Sequence, residues 1–165
     1  MPKEAAKAWY DKAKKEFETN GDVFDRFIYL WFSFNILYSQ HFENDERNAI
    51  KNFVDNDYLK IVSNATINDI LSSEAAMYFY SRIIKNMRYI KFKVSNEWVT
   101  TRKNNEILKN KVYHIHGRLK NLLMILYQVR CNLFHGDKMY LRESDTEVVT
   151  YAANALEKIL GKYLR

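Results

Sequence analysis

A chain of 165 residues with four glycines and a single proline has few places to reverse direction. A sheet protein of this size needs Gly, Pro and Asn turns at close spacing, whereas helices need only a cap at each end. The scarcity therefore points to an all-α chain of long helices joined by short turns. Apolar residues make up 47% of the sequence, with 12 Tyr and 10 Phe, enough to fill one packed interior. We expect a single domain over residues 1–165, built from about five to seven helices.

The lone Cys131 excludes an intramolecular disulfide. The opening MPKEAAKAW is charged where a secretory leader would be apolar, so a cytoplasmic location is expected. Phe27 to Tyr38 is the longest apolar-looking stretch, yet it contains Ser33 and Asn35 and is shorter than the ~20 residues a membrane span requires. It reads as a buried helix, and no membrane partner is expected.

Periodicity supplies the order of elements. Glu4 to Asn20 is rich in Ala, Lys and Glu, and Gly21 offers the left-handed position that ends a helix. Asp22 can cap a second helix, VFDRFIYLWFSFNILYSQHF, whose apolar residues fall on nearly every face and mark a central element. Ala49, Ile50, Phe53 and Val54 suggest a short helix that Asn56-Asp57 should break. From Ser73, the residues Ala76, Phe79, Tyr80, Ile83, Ile84, Met87 and Ile90 trace one helix face. Lys93 to Asn105 has no clear period and reads either as a loop or as the start of the next helix. That helix is expected from Glu106, with a stripe of Leu119, Leu122, Leu123, Leu126, Val129 and Leu133 and an end at Gly136. Ser144 and Glu147 form a capping-box pattern before a last amphipathic helix along Val148, Tyr151, Ala152, Ala155, Leu156, Ile159 and Leu160.

Charge is unevenly spread. Eleven Lys or Arg residues lie between Arg82 and Lys120 against Glu97 and Glu106, within a chain of net charge +6. Arg88, Lys91 and Lys120 belong to this band, and Tyr89, Phe92, Trp98 and Tyr113 are interleaved with it. Such a mixture can draw in a polyanion and stack its unpaired bases, and it equally describes a solvated helix face over core aromatics. Lys138 lies outside the band, beside the cluster described next.

Position 130 breaks the apolar stripe. Four residues beyond Leu126 the pattern requires another aliphatic residue and the chain supplies Arg130, followed by Asn132, His135, Asp137 and Lys138. A guanidinium at the edge of a core is costly unless it is paired or directed at an anion. On an ideal helix Arg130 and His135 stand about 140° and roughly 7.5 Å apart. Either the helix ends or bends between Leu133 and Gly136, or a second copy supplies the complementary residue across a two-fold axis. An ordinary structural explanation also exists: Arg130 in an ion pair with a carboxylate, and His135 capping the helix end.

The wider string YQVRCNLFHGDK resembles the Arg-x4-His form of the motif of HEPN domains. DRFIYLWFSFNILYSQ looks like the first core helix of that family, an aromatic run ending in a Phe-Asn-x-Leu-Tyr pattern, here Phe34, Asn35, Leu37 and Tyr38. Together they cover about a quarter of the chain. The resemblance implies a HEPN-like helical bundle, a two-fold homodimer and cleavage of single-stranded RNA with no metal and no cofactor. It makes Arg130 and His135 the catalytic pair. Products would be a 2′,3′-cyclic phosphate and a 5′-hydroxyl, in a setting such as antiviral defence or stress response.

These residue types suit the chemistry. A histidine, with a reference pKa of ~6.5, can take the 2′-hydroxyl proton near neutrality. An arginine offers a fixed fork of donors to phosphate oxygens and stays charged. Family members often carry a polar residue directly after the Arg; here Cys131 stands there, and Asn132 is expected to take the orienting role. Lys138, Arg88, Lys91 and Lys120 are the expected RNA-contacting cations. Asn35 must be hydrogen-bonded inside its helix, either supporting the site with Tyr38 or locking two helices together.

A regulatory or antitoxin partner also follows from the resemblance. The toxin branch paired with a nucleotidyltransferase antitoxin has Tyr two residues after the His, where this chain has Asp137, its nearest Tyr being Tyr140. His114 and His116, two apart on a helix, point to different faces, so a metal site is not expected there. A HEPN scaffold that holds RNA or dimerises without cutting is the alternative reading.

Overall fold

The computed structural model describes residues 1–85, 92–94, 97–99, 115–134 and 143–165. Helix α1 (Pro2–Asn20) starts on Pro2, whose missing N–H is no loss at a first turn, and ends at Gly21 with φ 67°. The Gly21 N–H reaches Phe17 O at 2.9 Å. Asp22 then caps α2 (Val23–Tyr38), its carboxylate accepting from the amides of Phe24 and Asp25. Two residues thus turn the chain back on itself, and α1 and α2 run antiparallel. Phe17 lies beside Arg26, Trp9 beside Tyr29 and Phe32, and the Ser33 hydroxyl donates to Ala6 O at 2.7 Å.

The central position expected for α2 is observed. Phe27, Leu30, Trp31, Phe34, Leu37 and Tyr38 are all buried. A 3-10 turn (Ser39–His41) leads to α3 (Glu46–Phe53), capped by Asp45, which accepts from Asn48 N at 2.8 Å.

The expected break at Asn56-Asp57 does not occur. Residues Val54–Tyr58 wind as a π-helical turn and continue into a last turn at Leu59–Ile61. The wider turn brings both Val54 and Tyr58 into the core, and the Tyr58 hydroxyl donates to Ile159 O at 3.0 Å. Asp57 meanwhile turns outward to His41, 2.7 Å away. Tertiary contacts at Tyr58 outweigh the local preference of Asn and Asp for a turn.

Ser63 caps α4 (Asn64–Leu71), and α5 (Glu74–Lys85) begins after Ser73, whose hydroxyl receives the Ala76 amide. Within the stretch from Lys93 to Asn105, which reads as a loop or a helix start, the described residues are strand instead. Phe92–Val94 (β1) and Glu97–Val99 (β2) form a short antiparallel hairpin, with Lys93 opposite Trp98. A pair of three-residue strands carries too little period for sequence to reveal it.

Helix α6 (Ile115–Phe134) contains the expected stripe, and α7 (Glu143–Tyr163) closes the bundle. Helix α7 already includes Ser144, so Ser144 does not cap it as the capping-box pattern predicts. Glu143 and Asp145 provide the acidic first turn that favours a helix start. Residues 106–114, the helix end at Gly136, and Met87 and Ile90 lie outside the described residues.

Apart from the hairpin, the described body is an all-α bundle of seven helices. Helix α2 is packed by α1, α3 and α7; α6 contacts α3, α4 and α7. Its aromatic core runs from Trp31 through Phe34 and Phe53 to Tyr58 and Tyr163. Among the described residues no helix is long and apolar enough to cross a membrane.

Candidate functional site

The stripe of α6 explains where its polar end emerges. Leu119, Leu122, Leu123, Leu126 and Val129 are buried, with Asn121, Met124 and Ile125 covering further faces of the same turns. The helix then leaves the core, and Phe134 is 44% exposed. Arg130 sits at this transition, half-buried.

Its guanidinium lies over three rings, 4.9 Å from the centroid of Phe134, 5.8 Å from Tyr127 and 5.9 Å from Trp31. Arg130 Nη1 donates to Glu46 Oε2 at 3.2 Å. The other oxygen of that carboxylate, Oε1, accepts from the Tyr38 hydroxyl, and Tyr38 Oη in turn accepts from Asn35 Nδ2 at 2.8 Å. A chain of polar contacts therefore runs Asn35, Tyr38, Glu46, Arg130, drawing on α2, α3 and α6. Asn35 does not lock two helices directly; its partner is on its own helix.

The electrostatics follow from this arrangement. Burial alone would lower the Arg130 pKa, but Glu46, Cys131 and Tyr38 outweigh it and hold the guanidinium above its ordinary value. Burial, and then the bond to Glu46, push the Tyr38 hydroxyl well up, so it remains a neutral donor. Tyr127 is raised too, by burial first and then by Cys131.

Arg47, next to Glu46 on α3, lies over the same Tyr127 ring at 5.3 Å. One tyrosine thus has two guanidiniums within cation–π range. The Nε atoms of Arg47 and Arg130 are buried without a hydrogen-bond partner among the described residues. Those two Nε atoms are sealed from solvent, so any contact with a phosphate would fall to the terminal nitrogens of the two guanidiniums, the groups that suit phosphate oxygens.

The remaining sequence-derived residues divide clearly. Asn132 lies one turn from Gln128 and accepts from its Nε2 at 2.7 Å, rather than contacting Arg130. Lys120 is about 15 Å from Arg130 along α6 and is paired with Asp55 at 2.6 Å, outside the Arg130 cluster. His135, Lys138, Arg88 and Lys91 lie outside the described residues, as does most of the basic band. His116 faces Asn64 at 2.8 Å, and among the described residues no three His, Cys, Asp or Glu side chains converge as a metal-binding group.

Sequence reasoning missed Glu46, Arg47 and Tyr127. Glu46 and Arg130 are 84 residues apart, and the only local sign was an acidic first turn after Asp45, which any capped helix could show. The chain matches no protein-family model, and no curated protein or solved structure is significantly similar to it.

Proposed function

We propose that this chain is a metal-independent endoribonuclease of the HEPN type, with Arg130 and His135 as its catalytic pair. The observation that carries the reading is Arg130 itself. It is a charged guanidinium kept where the apolar stripe of α6 ends, half-buried, with a second guanidinium, Arg47, over the same ring. Its place five residues before His135 fits the Arg-x4-His pattern. Support also comes from the all-helical bundle and from Asn35 and Tyr38 reaching Arg130 through Glu46.

In this mechanism His135 takes the proton of a ribose 2′-hydroxyl. The 2′-oxygen attacks the adjacent phosphorus, the bond from phosphorus to the 5′-oxygen breaks, and the departing oxygen is protonated. Arg130 stabilises the added negative charge on the phosphorane, with Arg47 positioned to share it. A two-fold homodimer would bring two such motifs to one cleft, so that one histidine accepts the proton and the other donates.

The Glu46 pair also favours a second reading, in which Arg130 ties α6 to α3 and the domain binds RNA or dimerises without cutting. Incubating the protein with mixed single-stranded RNA in EDTA and analysing the 3′ ends separates the two. Cleavage leaving 2′,3′-cyclic phosphates supports the enzyme. RNA that is bound yet stays whole under varied sequences and conditions supports the module.

A further inference from the structure

Away from Arg130, helices α1, α2 and α7 and the start of α5 line an open-sided cavity of about 410 Å³. Arg26 lines it on α2, whereas Tyr38 of the Arg130 network lies twelve residues on, so the two regions are about 18 Å apart along that helix. The cavity wall carries Lys14, Arg26, Lys158, Lys162 and Arg165 against the carboxylates of Glu74 and Glu157.

Glu157 is already committed. Arg26 Nε donates to it at 3.0 Å, and Arg26 Nη1 donates to Asn154 Oδ1 at 2.7 Å, which fixes a neutral floor. Lys158 and Lys162 stand one turn apart on α7, on one face, and Arg165 follows three residues on. Like charges at that spacing are mildly unfavourable, and an anion between them would relieve the repulsion. None of the three forms an ion pair among the described residues. Ser73, just before the twelve-residue α5, and Glu74 and Ala75 of its first turn form another wall, so the positive end of a helix dipole borders the same space, partly offset by the Glu74 carboxylate.

Gly161 leaves room for the Tyr10 hydroxyl, which a Cβ there would meet at 2.6 Å. The aromatic side chains lining the cavity already have partners. Tyr151 is stacked on Tyr78 with centroids 4.0 Å apart, and the ammoniums of Lys7 and Lys14 lie over the Tyr10 ring. Charge, rather than an open stacking slot, is what the cavity offers.

We infer that this cavity binds a compact condensed-phosphate anion, of diphosphate or triphosphate size, between Lys158, Lys162, Arg165 and Lys14. The inference does not rest on the ribonuclease reading. Calorimetric titration at low salt with tripolyphosphate, inorganic phosphate, citrate and a single-stranded oligouridylate tests it, using the wild type and a Lys158→Gln, Lys162→Gln variant. Tripolyphosphate should bind the wild type more tightly than inorganic phosphate or citrate does, and about tenfold more weakly to the double variant. The oligouridylate should not distinguish the two proteins. Arg165→Gln, an exposed change at the end of the chain described, should weaken tripolyphosphate roughly threefold and stands in if the double variant does not fold. No tripolyphosphate binding, unchanged affinity in the variants, equal affinity for citrate, or oligouridylate binding lost with the two lysines would each overturn it.

Discussion

Glu46 and Arg130, separated by 84 residues, meet at 3.2 Å, and the same carboxylate accepts the Tyr38 hydroxyl on its second oxygen. One side chain on α3 therefore holds the end of α6 and the end of α2 together. Its isosteric substitution Glu46→Gln keeps the shape and removes the charge. The pair is about one-fifth exposed on each side, so the loss should be roughly 1–3 kcal/mol in urea unfolding. Lys7→Ala, which removes the exposed pair with Asp11, should cost less than about 0.5 kcal/mol. Equal small effects for both would mean that Glu46 carries no special share of stability.

The two guanidiniums over Tyr127 lead to a binding prediction. If Arg47 shares the phosphate with Arg130, Arg47→Ala should weaken single-stranded RNA binding and lower the salt slope by about one counterion. Lys120→Ala should change that slope less, because Asp55 already neutralises Lys120. Fluorescence anisotropy across a salt series reads both, and an unchanged slope for Arg47→Ala would remove it from the interface.

Alkaline stability follows from the buried tyrosines. Burial raises the hydroxyl pKa values of Tyr58, Tyr38 and Tyr127 above the ordinary 10.0. The folded chain keeps those protons above that pH while the unfolded chain releases them. Their contribution is thus fully present below about pH 10 and is lost as pH rises through the folded values. Lys51, lowered by burial, acts in the opposite sense. Denaturant midpoints should therefore fall steeply above about pH 10. Tyr58→Phe should make that fall shallower while costing about 1 kcal/mol at neutral pH through the lost bond to Ile159 O. A midpoint that holds steady well above pH 10 would contradict the burial of these hydroxyls.

Much of the bundle was legible because its signals are local. Gly21 and Asp22 act within four residues of themselves, and the stripe of α6 repeats every three or four positions. What sequence could not reveal depends on distant partners. The π-helical turn at Val54–Tyr58 exists because Tyr58 reaches Ile159, 101 residues away, and so Asn56-Asp57 does not end the helix. The cap of α7 was misread because a Ser-x-x-Glu pattern also occurs inside a first turn.

The candidate site divides in the same way. Arg130 stood out as a charge in an apolar stripe, and Asn35 as an amide in an apolar helix. Glu46, which joins them, lies in a polar region where one more acidic residue is unremarkable. One expected cation, Lys120, is engaged by a carboxylate, Asp55, that no local pattern announces.

The central claim is that Arg130 and His135 cut RNA, and the measurement that meets it most directly is the rate of single-stranded RNA cleavage in EDTA by wild type, Arg130→Ala and His135→Ala. The account predicts cleavage by the wild type and at least a roughly hundredfold loss in each variant, the scale of losing one proton-transfer or charge-stabilising group. Cleavage that persists unchanged in both folded variants would contradict it.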